Sequence, residues 1–411
     1  MSKDNLRLAL IGTGNISRHH VWSMADLKKR GLAGFTVTSV CDVNEELAEA
    51  RAQEIEAQLG TRPAIYTDYR QLLARAEVDV ADLCLPHGLH HVVATDCMQA
   101  GVHVLCEKPL GVTIRACRKM AEMADKTGCV LSTAVPSRRL LSQRAVRWLF
   151  NEAKLIGEPL AFFHQHAGPL WPLPTTENEP RRLWRKDRLM SGGMHVIDSG
   201  FHYCDTMRYL LGDVEKVYAE LRELAFGSPR KVDQAPEDAV FATLTFKNGV
   251  VGTWCFGLIL PGEVTANIIF YCSQGSLRDL TDHRWRVFHL FRGNARRGLA
   301  PSARLTKADG SELSLQEVEA MYLATLSQEQ KEYCFPRGVA DGFSYQIWEF
   351  LETVRRNRPR VEVDGWEGMR SLAICEAIYE SALTGQVVQV DDVLDGRQRA
   401  YQAAIDAHWG L

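Results

Sequence analysis

Three polar side chains of this sequence could assist the oxidation of an alcohol, in which a base takes the hydroxyl proton while the hydride leaves for a separate acceptor: Lys108, Asp198 and His202. An imidazole titrates close to neutral pH, so His202 is the best base for the hydroxyl proton. Lys108, held as a cation, could hydrogen-bond the oxygen and stabilise its developing negative charge. Asp198 precedes His202 by four residues, which places both on one face of a predicted helix. We therefore expect Asp198 to orient the imidazole or to hold an adjacent hydroxyl.

Lys108 stands where a predicted strand ends. Residues 103–106 form a largely apolar run, and Glu107, Lys108 and Pro109 follow it directly. Pro109 has no N–H and a fixed φ, so it can end the strand and restrain the backbone that carries Lys108. Ligands of open α/β sheets bind at the carboxyl ends of the strands. This position therefore favours a functional charged pair over an ordinary salt bridge at a strand end.

A second motif, at the start of the chain, is typical of dinucleotide binding. The predicted strand 6–11 is followed by a turn that contains Gly12 and Gly14, and then by a helix to about residue 29. Glycines there allow a tight turn and let a pyrophosphate approach the backbone at a helix N-terminus. The next strand, 35–41, ends at Asp42, whose carboxylate could accept hydrogen bonds from the ribose and repel a 2′-phosphate. NAD is thus the expected cofactor and NADP is disfavoured, and a helix N-cap role for Asp42 is compatible with this.

The elements that position these residues form two predicted domains. Strand and helix signals alternate through residue 134, which predicts an α/β fold with a doubly wound, largely parallel sheet in a first domain at 1–136. A second domain is placed at 137–390, and 391–411 is interpreted as a mobile or oligomer-contacting tail. Residues 290–340 are interpreted as an insertion with some helix. Alternating residues predict at least four antiparallel strands. They are 214–224, 237–247, 250–258 and 264–272.

Composition limits the partners and the compartment. The net charge of -3 gives no general electrostatic reason to bind nucleic acid or an anionic membrane. Eleven cysteines with no CxxC motif, several of them inside apolar runs, are typical of buried thiols in a reducing compartment. There is no signal peptide, and no apolar run approaches the roughly 18 residues of a membrane span. We expect a cytoplasmic protein without a membrane partner.

The order of these motifs resembles the Gfo/Idh/MocA oxidoreductase family, which includes glucose-fructose oxidoreductase and inositol dehydrogenase. The likeness rests on Gly12 and Gly14, on Glu107-Lys108-Pro109, and on Asp198 with His202. It implies an N-terminal Rossmann domain and a C-terminal α+β domain with a large, open, mostly antiparallel sheet. In the family that sheet often mediates oligomer contacts, so a homo-oligomer is expected.

The resemblance also assigns roles residue by residue. The implied catalytic residues are Lys108, Asp198 and His202. The implied cofactor contacts are Gly12, Thr13, Gly14, Asn15, Ile16, Asp42, Leu85, Pro86, His87, His90, Glu107, Lys108, Trp184 and Arg185. The expected substrate contacts are Arg138, His166, Arg185, Asp198 and His202. The sequence departs from the common family pattern at His87, Ser191 and His195.

The leading functional hypothesis is NAD-dependent hydride transfer at a secondary alcohol of a sugar, sugar derivative or cyclic polyol. It requires Lys108 and His202 to act on one oxygen. One alternative is a sugar lyase, glycosidase or epimerase that recycles a tightly bound NAD, and another is a non-catalytic NAD-binding regulator. A metal site is not predicted, although one histidine-rich set could in principle form one. That set is His164, His166, His195, Asp198 and His202.

Overall fold

The computed structural model describes residues 5–168, 180–224, 230–231, 236–257, 259–279 and 303–411. The chain forms two compact units, Met1–Pro136 with Phe335–Met369, and Ser137–Cys334 with Arg370–Leu411. The predicted end of the first domain at residue 136 coincides with a boundary between the units, whereas residues 335–369, which the prediction places in the second domain at 137–390, group with the first unit. The reason is apolar burial: Tyr345, Ile347 and Phe350 belong to the same buried cluster as the first strands. Within these described ranges, no helix is long and apolar enough to cross a membrane.

The first unit is built on a six-stranded sheet whose neighbouring strands are all parallel, in the order β3-β2-β1-β4-β5-β6. Its strands are β1 Leu6–Ile11, β2 Phe35–Cys41, β3 Ala64–Tyr66, β4 Val80–Leu83, β5 His103–Glu107 and β6 Leu131–Ala134. Its helices are Asn15–Lys29, Glu45–Leu59, Tyr69–Arg75, His90–Gln99, Ile114–Thr127 and Gly342–Val354. All residues of β4 are buried, as in a parallel strand that is covered on both faces. The predicted doubly wound parallel sheet is confirmed.

The second unit is built on a ten-stranded sheet in the order β15-β14-β13-β12-β7-β11-β10-β8-β16, with β9 paired to β8. The first strands are β7 Pro159–Ala167, β8 Val214–Glu223, β9 Arg230–Lys231, β10 Ala239–Phe246 and β11 Val251–Gly257. The remaining strands are β12 Thr265–Cys272, β13 Gly275–Asp279, β14 Arg304–Lys307, β15 Glu312–Ser314 and β16 Val388–Gln389. The pair β7 and β11 is parallel, and the other pairs are antiparallel. The predicted large, mostly antiparallel sheet is confirmed.

The second unit also contains seven α-helices within the described residues and part of an eighth. They are Leu141–Trp148, Arg188–Ser191, Ser199–Leu211, Leu315–Thr325, Gln328–Cys334, Val390–Leu394 and Ala403–Trp409, and Gly365–Thr384 continues from the first unit into the second. The helix of His202 begins at Ser199, so Asp198 lies at its N-cap. Within 290–340, the strands β14 and β15 extend the sheet, and the helices Leu315–Thr325 and Gln328–Cys334 lie where the sequence predicts helix, near 315–330.

The C-terminal segment 391–411 packs within its own unit. Tyr401 and Ile405 are buried, and the Glu380 carboxylate accepts the Tyr401 N–H at 2.9 Å. The indole N–H of Trp409 donates to the Leu189 carbonyl at 2.7 Å. Buried apolar side chains and satisfied backbone groups hold the segment in place. The segment is therefore packed and not a mobile tail, and the alternative, a role in oligomer contacts, stays a prediction.

Candidate active site

The glycine-rich turn after β1 contains two glycines with different reasons to be there. Gly12 has φ +91°, and a Cβ at this position would lie 2.3 Å from the Cys84 carbonyl oxygen. Gly14 has φ -66° at the N-cap of the first helix, and a Cβ there would meet no protein atom within 4 Å. The fold therefore requires glycine at position 12, whereas at position 14 glycine leaves room for a ligand to approach the backbone at a helix N-terminus.

Asp42 is fixed against this turn. Its Oδ2 accepts the Thr13 N–H at 2.8 Å and the Thr13 hydroxyl at 3.0 Å. Its Oδ1 accepts the Asn44 N–H at 2.9 Å and retains capacity for a further donor. The helix that follows is capped by the Asn44 side chain, so the alternative role of Asp42 as its N-cap does not apply. Arg51, which sequence reasoning missed, donates to the Thr13 carbonyl at 3.3 Å from beneath the turn.

The turn after β4 is tied to the residue that follows Lys108. The ring nitrogens of His90 lie 3.0 Å from the Leu85 carbonyl and 2.9 Å from the Pro109 carbonyl. Burial lowers the pKa of His90, so the ring is neutral and donates to one of these oxygens at a time. His87 is also buried, in the short 3-10 helix that follows Pro86. His87 and His90 lie in the turn at the carboxyl end of β4, and their contact with a cofactor stays a prediction.

Glu107 and Lys108 lie at the end of β5, and both are buried. Glu107 Oε1 lies 2.9 Å from Nε2 of His20, and Glu107 Oε2 accepts the Lys108 N–H at 3.2 Å. His20 Nδ1 lies 2.8 Å from Asp82 Oδ2. The Lys108–Pro109 peptide bond is cis. The structure thus gives Glu107 partners within the protein, and its contact with a cofactor stays a prediction.

In the second unit, Asp198 is held by an arginine. Arg185 Nε donates to Asp198 Oδ2 at 2.8 Å, and the Arg185 guanidinium lies 4.4 Å from the centre of the Trp184 ring. The pairing with a cation favours the ionised form of Asp198. His202 follows one turn later and is buried. The structure therefore brings together Trp184, Arg185 and Asp198 at the start of the helix that carries His202.

The loop before Asp198 is organised by residues that sequence reasoning missed. The buried Glu237 carboxylate accepts the N–H groups of Met194 and Val196, at 3.2 and 3.0 Å, and the Tyr379 hydroxyl at 2.5 Å. A Cβ at Gly193 would lie 2.0 Å from the Tyr379 hydroxyl oxygen, so only glycine lets the loop pass. Burial raises the pKa of Glu237, and these donors oppose that effect. No local sequence signal indicates this clamp.

Two predicted substrate contacts have partners inside the second unit. Arg138 pairs with the buried Asp205 through two hydrogen bonds, of 2.8 and 2.6 Å, and Ser371 donates to the same carboxylate at 2.7 Å. Burial works against the charge of Asp205, but Arg138, Ser371 and Arg208 together outweigh it and lower the pKa of that carboxyl. His166 is buried in β7, with its ring 5.6 Å from the Phe256 ring. Substrate contact by Arg138 and His166 stays a prediction.

The histidine-rich set does not assemble as a metal site. Within the part of the chain that the structure describes, its members contribute no three ligand atoms within 4.8 Å of one another, whereas His20, Asp82 and Cys84 do. Both ring nitrogens of His20 already lie within hydrogen-bond distance of carboxylates. That second group is therefore a hydrogen-bonded cluster of the protein interior.

The first unit has the features of a dinucleotide-binding domain: a glycine turn, a fixed Asp42 and Lys108, all at the carboxyl ends of parallel strands. Residues 6–135 match the family model described as "Oxidoreductase family, NAD-binding Rossmann fold". Residues 154–390 match "Oxidoreductase family, C-terminal alpha/beta domain". The chain belongs to the Gfo/Idh/MocA oxidoreductase family, as the order of its motifs predicted.

Relatives of this chain differ in activity. It is 29% identical over 245 residues to a 1,5-anhydro-D-fructose reductase of Ensifer adhaerens, covering 60% of this chain and 67% of the relative. It is also 29% identical over 192 residues to an alpha-N-acetylgalactosaminidase of Shewanella oneidensis, covering 44% of this chain and 40% of the relative.

A similar solved structure is the WlbA dehydrogenase of Bordetella pertussis in complex with NADH and UDP-GlcNAcA. The TM-score is 0.71 and the sequence identity is 22%, over 95% of this chain and 99% of that one. At this identity the likeness shows the fold alone.

Proposed function

We propose that the protein transfers a hydride between a secondary alcohol of a sugar, sugar derivative or cyclic polyol and the nicotinamide of NAD. The observation that carries the proposal is the carboxyl edge of the parallel sheet, where Lys108 lies on the same edge as the Gly12 turn and Asp42. A cationic side chain at the cofactor edge suits a reaction in which an oxygen becomes negative. The similarity to a sugar reductase supports a carbohydrate as substrate.

The residues of the first unit suit NAD. The backbone at Gly14 and the N-terminus of the first helix would hold the pyrophosphate, and Asp42 Oδ1 would accept a ribose hydroxyl. The same carboxylate would repel a 2′-phosphate, which favours NAD over NADP. When bound, the nicotinamide exchanges a hydride with the substrate carbon. Trp184 and Arg185 are proposed as further contacts at the nicotinamide end.

The remaining steps belong to side chains of the chain itself. His202 takes the hydroxyl proton during oxidation and returns it during reduction. Lys108 donates a hydrogen bond to the same oxygen and stabilises its charge. Asp198, held by Arg185 at 2.8 Å, keeps a fixed acceptor near the start of the helix for a neighbouring hydroxyl or for the imidazole. Arg138 and His166 are proposed as further substrate contacts.

A panel of sugars, glycosides and cyclic polyols tests the reaction. With added NAD, at least one member should produce the absorbance of the reduced nicotinamide. A second candidate function is supported by the similarity to a glycosidase: oxidation, cleavage at the neighbouring carbon, and return of the hydride. Product formation without net reduction, together with NAD that stays bound during gel filtration, would select that candidate. Binding of NAD with no turnover of any member would instead indicate a regulator.

We also propose that the protein self-associates through the face of its large sheet that bears exposed apolar side chains. Five apolar side chains, one from each of the strands β7, β8, β10, β11 and β12, are between 41% and 46% exposed: Phe163, Tyr218, Phe241, Val251 and Tyr271. The strand pairings place them on one face, because Tyr218, Thr243, Thr253, Phe163 and Ile269 lie opposite one another across these five strands. Exposed aromatic and aliphatic side chains on five neighbouring strands suit an isologous dimer.

Analytical ultracentrifugation tests this surface. The change Phe163→Glu should shift the protein toward the monomer, because it places a charge among the exposed apolar side chains of this face. The matched control is Val43→Glu, at a valine of the first unit that is 92% exposed. Equal masses for both variants would contradict the proposed interface.

A further inference from the structure

One buried side chain links three elements at the cofactor edge. His20 lies on the helix Asn15–Lys29, which begins directly after the glycine turn. Its Nδ1 is 2.8 Å from Asp82 Oδ2 on β4, and its Nε2 is 2.9 Å from Glu107 Oε1 on β5. The three side chains are 0%, 1% and 7% exposed. Because β4 and β5 are paired neighbours, the imidazole joins the ends of two adjacent strands to the first helix.

Both ring nitrogens of His20 have an acceptor within hydrogen-bond distance. A neutral imidazole has one N–H and can donate to one carboxylate only, whereas an imidazolium donates to both. Burial opposes the positive charge of His20, but the interactions with Asp82 and Cys84 together outweigh burial and raise the pKa of His20 well above its usual range. An ionised imidazole can donate to both carboxyl groups, and such hydrogen bonds are charge-assisted.

The contact continues to Lys108. One oxygen of Glu107 is occupied by His20, and the other accepts the Lys108 backbone N–H at 3.2 Å. Pro109 follows with a fixed φ, and its carbonyl is 2.9 Å from a ring nitrogen of His90. The backbone of Lys108 is thus held on both sides by histidines, one ionised and one neutral.

We propose that His20 is a positioning residue for Lys108: as an imidazolium it fixes the Glu107 carboxylate, which in turn holds the backbone from which the lysine ammonium reaches the substrate oxygen. The role of Lys108 in this inference rests on the proposed function, whereas the contact between His20 and Glu107 does not depend on it. It assigns to the first helix a second task besides cradling the pyrophosphate. A structural role alone would affect folding and leave the exposure of Lys108 unchanged.

The first test needs no substrate. Purified full-length protein is treated with a low dose of acetic anhydride, and acetylation of Lys108 is followed by peptide mass spectrometry. In the wild type Lys108 is 7% exposed, so it should react slowly. In His20→Gln the loss of a charge-assisted hydrogen bond should let the strand end open and speed acetylation of Lys108 by about tenfold, with other lysines unchanged.

The matched control is His103→Gln. His103 lies on the same strand as Glu107 but at its opposite end, where its Nδ1 accepts the Val130 N–H at 2.8 Å. Acetylation of Lys108 should keep the wild-type rate in this variant. If His20→Gln does not fold, Asp82→Asn replaces it, because this change retains an acceptor oxygen while removing one of the two anions. Equal Lys108 acetylation in the wild type, the control and the test variant would overturn the inference.

The second test uses the panel sugar that the wild type oxidises fastest. His20→Gln should lower kcat by about 10- to 100-fold, the cost of a misplaced catalytic group, with the Kd for NAD within about twofold of the wild type. In a Lys108→Ala background the same change should have little further effect, because both act through one side chain. Losses that multiply in the double variant would overturn the inference. Full activity in Lys108→Ala would instead overturn the proposed function, whatever the acetylation result.

Discussion

The two units support the segments that carry their proposed catalytic side chains in different ways. Beside Lys108 a single imidazole, that of His20, lies between the carboxyl groups of Asp82 and Glu107. In the second unit the loop before Asp198 is held by Glu237, which accepts two backbone N–H groups and the Tyr379 hydroxyl, and ion pairs of Asp198 and Asp205 with arginines hold the helix of His202. The nearby His195 shows the contrast: burial lowers its pKa to about 4, so it is neutral. Buried charged groups such as those around His20 orient one another strongly, but their burial costs desolvation free energy. The hydrogen bonds that Glu237 accepts from backbone N–H groups instead fix the conformation of a loop.

Removal of the catalytic groups should cause the largest changes. His202→Ala should lower kcat by about 10²- to 10⁴-fold, because it removes the general base. Lys108→Ala should lower kcat by about 10²- to 10³-fold, the usual cost of losing a donor at a developing oxyanion. Steady-state kinetics with the preferred panel sugar measures both. Wild-type kcat in either variant would remove that residue from the proposed mechanism.

The clamp of the second unit offers the next largest effect. Tyr379→Phe removes one donor from the Glu237 carboxylate, which is 1% exposed. The free energy of unfolding should fall by about 1–3 kcal/mol, the cost of an incompletely satisfied buried group. Urea denaturation measures this change, and the exposed Tyr271 gives the control variant Tyr271→Phe. An unchanged unfolding midpoint in Tyr379→Phe would show that the clamp does not stabilise the loop.

Cofactor choice tests the first unit without disturbing its buried charges. Asp42→Ser removes the carboxylate that would repel a 2′-phosphate but leaves a hydroxyl near Thr13. The ratio of kcat/KM for NAD to that for NADP should fall by about tenfold or more, the equivalent of about 1.4 kcal/mol. Glu45→Gln, in the first turn of the following helix, should leave the ratio unchanged. An unaltered ratio in Asp42→Ser would mean that Asp42 does not set the preference.

The smallest expected effects are the pH dependences of Tm that His195 and His20 cause, which should run in opposite directions. The pKa of His195 is lowered from 6.5 to about 4, so the unfolded chain takes up the proton first as pH falls. Its contribution to stability is complete above pH 6.5 and is lost toward pH 4. His195→Asn should therefore flatten the decline of Tm over this range. A decline as steep as in the wild type would mean that His195 is not the group responsible.

His20 should act in the opposite direction. Its pKa is raised well above 6.5, so the folded protein binds that proton more tightly than the unfolded chain does. The contribution is complete below pH 6.5 and is lost as the pH rises through the folded value. Thermal unfolding of His20→Gln at alkaline pH should consequently differ less from the wild type than at neutral pH. A constant difference in Tm across that range would contradict the ionised state.

The comparison also explains which features could be predicted from sequence. The turn at Gly12, the strand before Lys108 and Asp42 at a strand end carry local signals, and parallel pairing brings such ends to one edge. The clamp on the Asp198 loop joins Met194 to Glu237 and Tyr379, which are 43 and 185 residues away. His20 was missed because the sequence does not distinguish a buried, hydrogen-bonded histidine in an amphipathic helix from an ordinary helical histidine. Only the pairing of β4 with β5 gives it two carboxylates.

The return of residues 335–369 to the first unit could not be predicted for a related reason. The helix Gly342–Val354 is amphipathic, but its sequence does not say which sheet its apolar face covers. Its residues Phe350 and Leu351 join the buried cluster around Leu8 and Val21, far earlier in the chain. Likewise, Glu380 accepts the Tyr401 N–H, a contact that turns an apparent tail into part of the second unit. Tertiary contacts at long sequence separation decided both cases.

The most direct test of the central claim follows one hydrogen atom. The preferred panel sugar is prepared with deuterium on the carbon that carries the reacting hydroxyl, and the released nicotinamide is examined by mass spectrometry. The account predicts deuterium in the reduced nicotinamide of the wild type, and little or none in Lys108→Ala or His202→Ala. Turnover of the sugar with no deuterium in the nicotinamide ring of the NADH that is formed would contradict net hydride transfer to NAD.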